Sequence, residues 1–137
     1  MIVPTLHFPG NCIDVIRLYE DAFTVTGKEI SFFSDAPDDS GMKIHEEMRN
    51  KIMHARITIC GSEFNCSDAQ HEIIAGNMHL YNVFLESEDD LRRAFNTLKA
   101  EGKVVVDLGP QFFSPLYASV RDTFGVQWQL ILLKSES

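Results

Sequence analysis

Four side chains at alternate positions, His54, Arg56, Thr58 and Cys60, put an imidazole, a guanidinium, a hydroxyl and a thiol in one row. Such a row suits recognition of a small polar group. A guanidinium forks onto a carboxylate or phosphate, an imidazole titrates near neutral pH, and a hydroxyl both donates and accepts. The residues between them, Met53, Ala55, Ile57 and Ile59, are apolar. This alternation marks a half-buried strand within residues 51–68, with a turn at Gly61-Ser62 closing a hairpin and the polar row forming a cleft wall. Plainer readings stand beside this one. His54 also reads as a hydrogen-bonded strand histidine, and Arg56 as the ion-pair partner of one of the 20 acidic side chains. His7, His45 and His71 read as surface or loop residues, Cys60 and Cys66 as small core residues, and Glu46-Glu47 as a solvated face.

A scaffold must hold that strand. Residues 2–8 form a β-prone run in which Pro4 indicates an edge or a strand start, followed by a turn at Pro9-Gly10-Asn11. Asn11 is a suitable N-cap for a helix carrying Ile13, Ile16, Tyr19 and Phe23 on one side, with Gly27-Lys28 ending it. A strand over 29–33, an acidic loop over 34–41 with Asp35, Asp38 and Asp39, and a helical turn within 44–50 lead into the hairpin. The second half repeats this order. A β-rich run over 78–86 precedes a helix with Leu91, Ala94, Phe95 and Leu98 at i, i+3, i+4 and i+7, which stops at Gly102-Lys103. A strand over 104–108 and a hairpin over 116–133, turning at Thr123-Phe124-Gly125, complete the unit. The expected class is α+β: two βαβββ modules forming a curved mixed sheet, with helices on its outer face and a ligand cleft inside. The expected organisation is one domain, with module 1 over 1–68, a connector over 69–76 and module 2 over 77–137.

The chain's 137 residues, 45% of them hydrophobic, suffice for a real core. A formal charge of -8 and scattered cations argue against nucleic acid or an anionic membrane as partner. Three cysteines without CxxC spacing, and no visible leader or long apolar segment, lead to the expectation of a reduced, soluble, cytoplasmic protein.

The runs PTLHFPGNCIDVIRLYEDAF, KIMHARITICGSEFNCSD and FFSPLYASVRDTFGVQWQL resemble the PhnB-like branch of the vicinal oxygen chelate superfamily, the glyoxalase/bleomycin-resistance fold. Members of that branch are often labelled 3-demethylubiquinone 3-methyltransferase-like. The resemblance spans essentially the whole chain. It implies paired βαβββ modules, clefts completed by modules from one chain or two, and, in catalytic branches, a divalent metal held by one residue from each of four strands. Carried over one at a time, those positions fall at Pro4, at His54 or Arg56, at His79 or Tyr81, and at Gln129. Proline has no side-chain ligand, His7 lies on the opposite strand face from Pro4, arginine is no ligand, and Gln129 is a neutral amide. The expectation is therefore no metal and no other cofactor.

The expected function is binding of a small, partly apolar molecule with an anionic or carbonyl end. Expected to line the site are His54, Arg56, Thr58, Tyr81, Phe113, Trp128 and Gln129, with Arg56 on the oxygen atoms and the rings on the apolar body. The alternative is a metal-dependent glyoxalase or dioxygenase-type enzyme acting on vicinal oxygens; the residues alone do not decide whether the chain catalyses a reaction. A donor-binding methyltransferase would need a large αβ sheet with a Gly-rich first loop, which neither length nor pattern provides. Small modules leave sheet edges unpaired, so a homodimer is the expected assembly.

Overall fold

The computed structural model describes residues 1–37, 41 and 43–134. The expected position of Asp38 and Asp39 in an acidic loop falls outside the described residues. Among the described residues twelve segments are regular: β1 Thr5–Phe8, α1 Cys12–Ala22, β2 Val25–Phe32, 3-10 turns at Phe33–Asp35 and Glu46–Met48, β3 Ile52–Ile59, β4 Ser62–Asp68, β5 Tyr81–Leu85, α2 Glu88–Lys99, β6 Lys103–Gln111, β7 Ser114–Arg121 and β8 Gln127–Leu132. The order is βαβββ twice. Each repeat builds a four-stranded mixed sheet, β1-β4-β3-β2 and β5-β8-β7-β6, in which the outer pair β1/β4 or β5/β8 is parallel. Two compact units result, Met1–Glu20 with Thr24–Ile74, and Asp21–Phe23 with the chain from Ala75 onward. No helix among the described residues is long and apolar enough to cross a membrane.

In the first unit the alternation in β3 sorts side chains as its sequence implies. Ala55, Ile57 and Ile59 are buried and stand level with Cys66, Phe64 and Ser62 of β4. The first helix departs from expectation at both ends. Asn11 does not cap it by side chain: its Oδ1 is buried and unpartnered, while Asp68 Oδ1 accepts from Gly10 N and Cys12 N at 3.0 and 2.9 Å. The other Asp68 oxygen accepts from Ile52 N at 3.0 Å, so one buried carboxylate ties the helix start to the start of β3. At its far end α1 stops at Ala22 rather than at Gly27, because Val25 and Thr26 already pair with Ile59 and Thr58. β-branched residues fit that ladder better than another helical turn. Gly27, at φ +64°, sits instead at the register shift between Thr26 and Glu29.

Cys12 and Cys66 meet in this core with unbonded thiols. The hydrogen bond between them, reinforced by burial, pushes the Cys12 pKa far above the ordinary thiol range. Cys60, half-exposed at the β3–β4 turn, is the third cysteine outside any disulfide. A thiol reacts as its thiolate. Native protein is thus expected to release one rapid equivalent of thionitrobenzoate from an aromatic disulfide reagent, abolished by Cys60→Ser, and the other two only in guanidinium. Rapid release of all three from folded protein would contradict this packing.

The second unit uses local signals. Ser87 Oγ accepts from Asp90 N at 3.2 Å and caps α2, and the first turn is acidic. Leu91, Ala94, Phe95 and Leu98 are all buried. They cover the sheet face that carries Val83, Leu116, Ala118, Val120, Trp128 and Leu130. Gly102 permits the close return to β7, since a Cβ there would lie 2.5 Å from the carbonyl oxygens of both Arg121 and Leu98.

Candidate functional site

The side of the first sheet opposite Ala55 and Ile57 is polar. β3 places His54, Arg56 and Thr58 there, β4 places Glu63, Asn65 and Ser67, β2 places Glu29 and Ser31, and β1 places Thr5 and His7. His54, Arg56 and Thr58 thus share one face, as their spacing requires. Arg56, however, is engaged. Its guanidinium lies 2.7 Å from Glu29 and 3.5 Å from Glu63, both on flanking strands, so the trio carries one positive and two negative charges. An incoming carboxylate would meet the negative charge of both glutamates beside it, although the pairs are half-exposed and individually weak. His7 shares this face through its position opposite Ser67, and its ring lies 6.0 Å from that of His71.

In the second unit the register divides the expected residues. Tyr81 is level with Trp128, and their rings are 5.5 Å apart on the side that α2 covers. Gln129, the next residue along β8, points the other way. Tyr81 and Trp128 are therefore not on a common face with Gln129: Trp128 is a buried core ring packed also on Phe23 at 5.0 Å. The face with Gln129 instead carries Asn82 and Phe84 from β5, Ile131 from β8, and Tyr117, Ser119 and Arg121 from β7. Tyr117 Oη donates to Gln129 Oε1 at 2.6 Å. Phe113 packs edge-on against Tyr117, with centroids 5.2 Å apart. Phe113 is 43% exposed and Phe84 57%, so apolar surface is left on this face.

The signal for Tyr117, Ser119 and Arg121 was present in the sequence. LYASVR alternates as HARITI does, polar groups at 117, 119 and 121 and apolar or small ones at 116, 118 and 120. Glu29 and Glu63 carried no local signal, because their meeting with Arg56 depends on strand pairing.

Several of the metal positions implied by the resemblance offer no available ligand side chain. Pro4 contributes only its backbone carbonyl, which accepts from Asn65 N at 2.9 Å. Arg56 is salt-bridged, Tyr81 is turned to the core side, and the Gln129 oxygen accepts the Tyr117 hydroxyl. Among the described residues no three His, Cys, Asp or Glu side chains converge as metal ligands.

A family model described as 3-demethylubiquinone-9 3-methyltransferase matches residues 1–131. The chain belongs to that family. Protein YjdN of Escherichia coli (strain K12) is 29% identical over 147 residues, covering 97% of this chain and 95% of that one. The PhnB protein from Bacillus cereus is 28% identical with a TM-score of 0.74, covering 96% and 98% of the two chains. A glyoxylase/bleomycin resistance protein/dioxygenase domain from Frankia sp. EAN1pec, at 12% identity and a TM-score of 0.66, covers 100% of this chain and 93% of its own. The fold of this family member is accordingly that of the glyoxalase/bleomycin-resistance proteins, as the repeated βαβββ order implied.

Proposed function

We propose that this chain binds a small, partly apolar molecule through a carbonyl or anionic oxygen, without a metal ion, on the Gln129 face of the second sheet. One observation carries the reading. The Tyr117 hydroxyl occupies the oxygen of the Gln129 amide, which leaves the amide's two N–H donors with no partner among the described residues. Donors fixed beside exposed aromatic surface suit an oxygen acceptor attached to an apolar body. Phe113 and Phe84 supply that surface. This favours oxygen recognition by Gln129 over recognition by the salt-bridged Arg56.

The family description names methyl transfer, and the local structure argues for a different use of the fold. The turn from β1 to α1 contains a single glycine, Gly10, and that from β5 to α2 none, so neither cradles a nucleotide-like donor as a Gly-rich loop does.

Fluorescence titration with pyrene and 1-acetylpyrene, which differ by one carbonyl, tests the proposal. Acetylpyrene should bind more tightly. Gln129→Leu should remove the advantage, a loss of about 0.5 to 1.5 kcal/mol for one neutral hydrogen bond. Phe113→Ala should weaken both probes by about 1 to 2 kcal/mol through lost aromatic contact. Equal affinity of wild type and Phe113→Ala for both probes would sink the proposal.

A further inference from the structure

Lys103 and Arg121 are directly opposite each other on β6 and β7. Like charges at such a position repel, and an acid between them would relieve the repulsion. None is supplied: no carboxylate among the described residues pairs with either side chain, although the chain carries 20 acidic residues against 12 basic ones. Arg121 is half-buried, so its charge is also partly desolvated. Its guanidinium lies beside Gly125, 3.8 Å from where a Cβ would stand. On the other side Arg121 is level with Gln127.

These two cations belong to the face already described. Along β7, Arg121 follows Ser119 by two residues and Tyr117 by four; Ser119 is level with Gln129. Two strand residues span about 7 Å, so an anion at Arg121 and an oxygen at Gln129 are separated by a few covalent bonds of one small molecule.

We infer that Arg121, with Lys103 across from it, binds a carboxylate or phosphate group on a ligand whose apolar body rests against Phe113. The inference rests on the reading that Gln129 and Phe113 line the binding face, and it names the class of ligand: an apolar or aromatic oxyacid. A guanidinium recognises either oxyanion through paired N–H donors, and the lysine adds a point charge. The anion, in turn, removes the repulsion that the empty pair suffers.

The test uses 1-pyrenebutyrate and 1-pyrenebutanol, alike in shape and different in charge. Wild type should bind the butyrate at least tenfold more tightly, with the preference shrinking as salt rises. Arg121→Gln should abolish the preference and leave butanol binding intact; Lys103→Gln should reduce it about threefold; Arg92→Gln, on α2, should change nothing. Thermal unfolding of each variant establishes that it is folded. If Arg121→Gln retains the preference, the anion site is wrong while the Phe113 reading survives. If Phe113→Ala leaves both probes unaffected and Arg121→Gln still removes the preference, the anion site stands and the aromatic face fails. Failure of wild type to bind either probe overturns both.

Discussion

Asp68→Ala is expected to destabilise the protein by about 4 kcal/mol, since three N–H groups lose a charged acceptor worth about 1.5 to 3 kcal/mol each and only partly rehydrate. The carboxylate is 3% exposed and accepts from Gly10, Cys12 and Ile52. Gly10 N is partly buried and can regain water; Cys12 N and Ile52 N are buried and cannot do so without opening the structure. The loss is large against the roughly 5 to 15 kcal/mol that holds a typical domain folded. Asp68→Asn retains one acceptor oxygen and should cost about half as much. Guanidinium unfolding followed by circular dichroism gives both numbers. A loss below about 1 kcal/mol in the alanine variant, the size of an ordinary surface substitution or less, would show that another group caps α1.

Asp122→Ala is the counterpart in the second unit, with an expected loss of about 3 kcal/mol. Asp122 is also 3% exposed, and its Oδ1 accepts from Phe124 N and Val126 N at 2.9 and 3.1 Å, shaping the turn between β7 and β8. Its Oδ2 accepts from Trp128 Nε1 at 3.0 Å. Trp128 is the chain's single tryptophan, which makes the contact visible by fluorescence. The variant should shift the emission maximum of the folded state as well as lower the unfolding midpoint. An unchanged native spectrum with unchanged stability would mean that the Asp122 carboxylate holds neither the indole nor the turn.

The two acids illustrate how far local signals reach. In α2 the cap, the acidic first turn and the apolar stripe all lie within the helix and the residue before it, so its extent and buried face are readable from residues 87–99. In α1 the apolar spacing is equally plain, but the acceptor that caps it comes from a residue 56 positions away in sequence. Asn11 had the right side chain in the right place, and the buried carboxylate took its role.

The site divides in the same way. Period two is a property of a single strand, so the sequence alone determined that His54, Arg56 and Thr58 share a face against Ala55 and Ile57, and that the βαβββ order occurs twice. The same rule separates Trp128 from Gln129, which are neighbours on β8. Which strands lie side by side, and at what register, is fixed by pairing between residues far apart in the chain. Only that pairing brought Glu29 and Glu63 onto Arg56, turned Tyr81 to the Trp128 side, set the Tyr117 hydroxyl on Gln129 and stood Lys103 against Arg121. A charge or a donor acquires its role from what the neighbouring strand places within about 5 Å of it, and no periodicity within one strand contains that information.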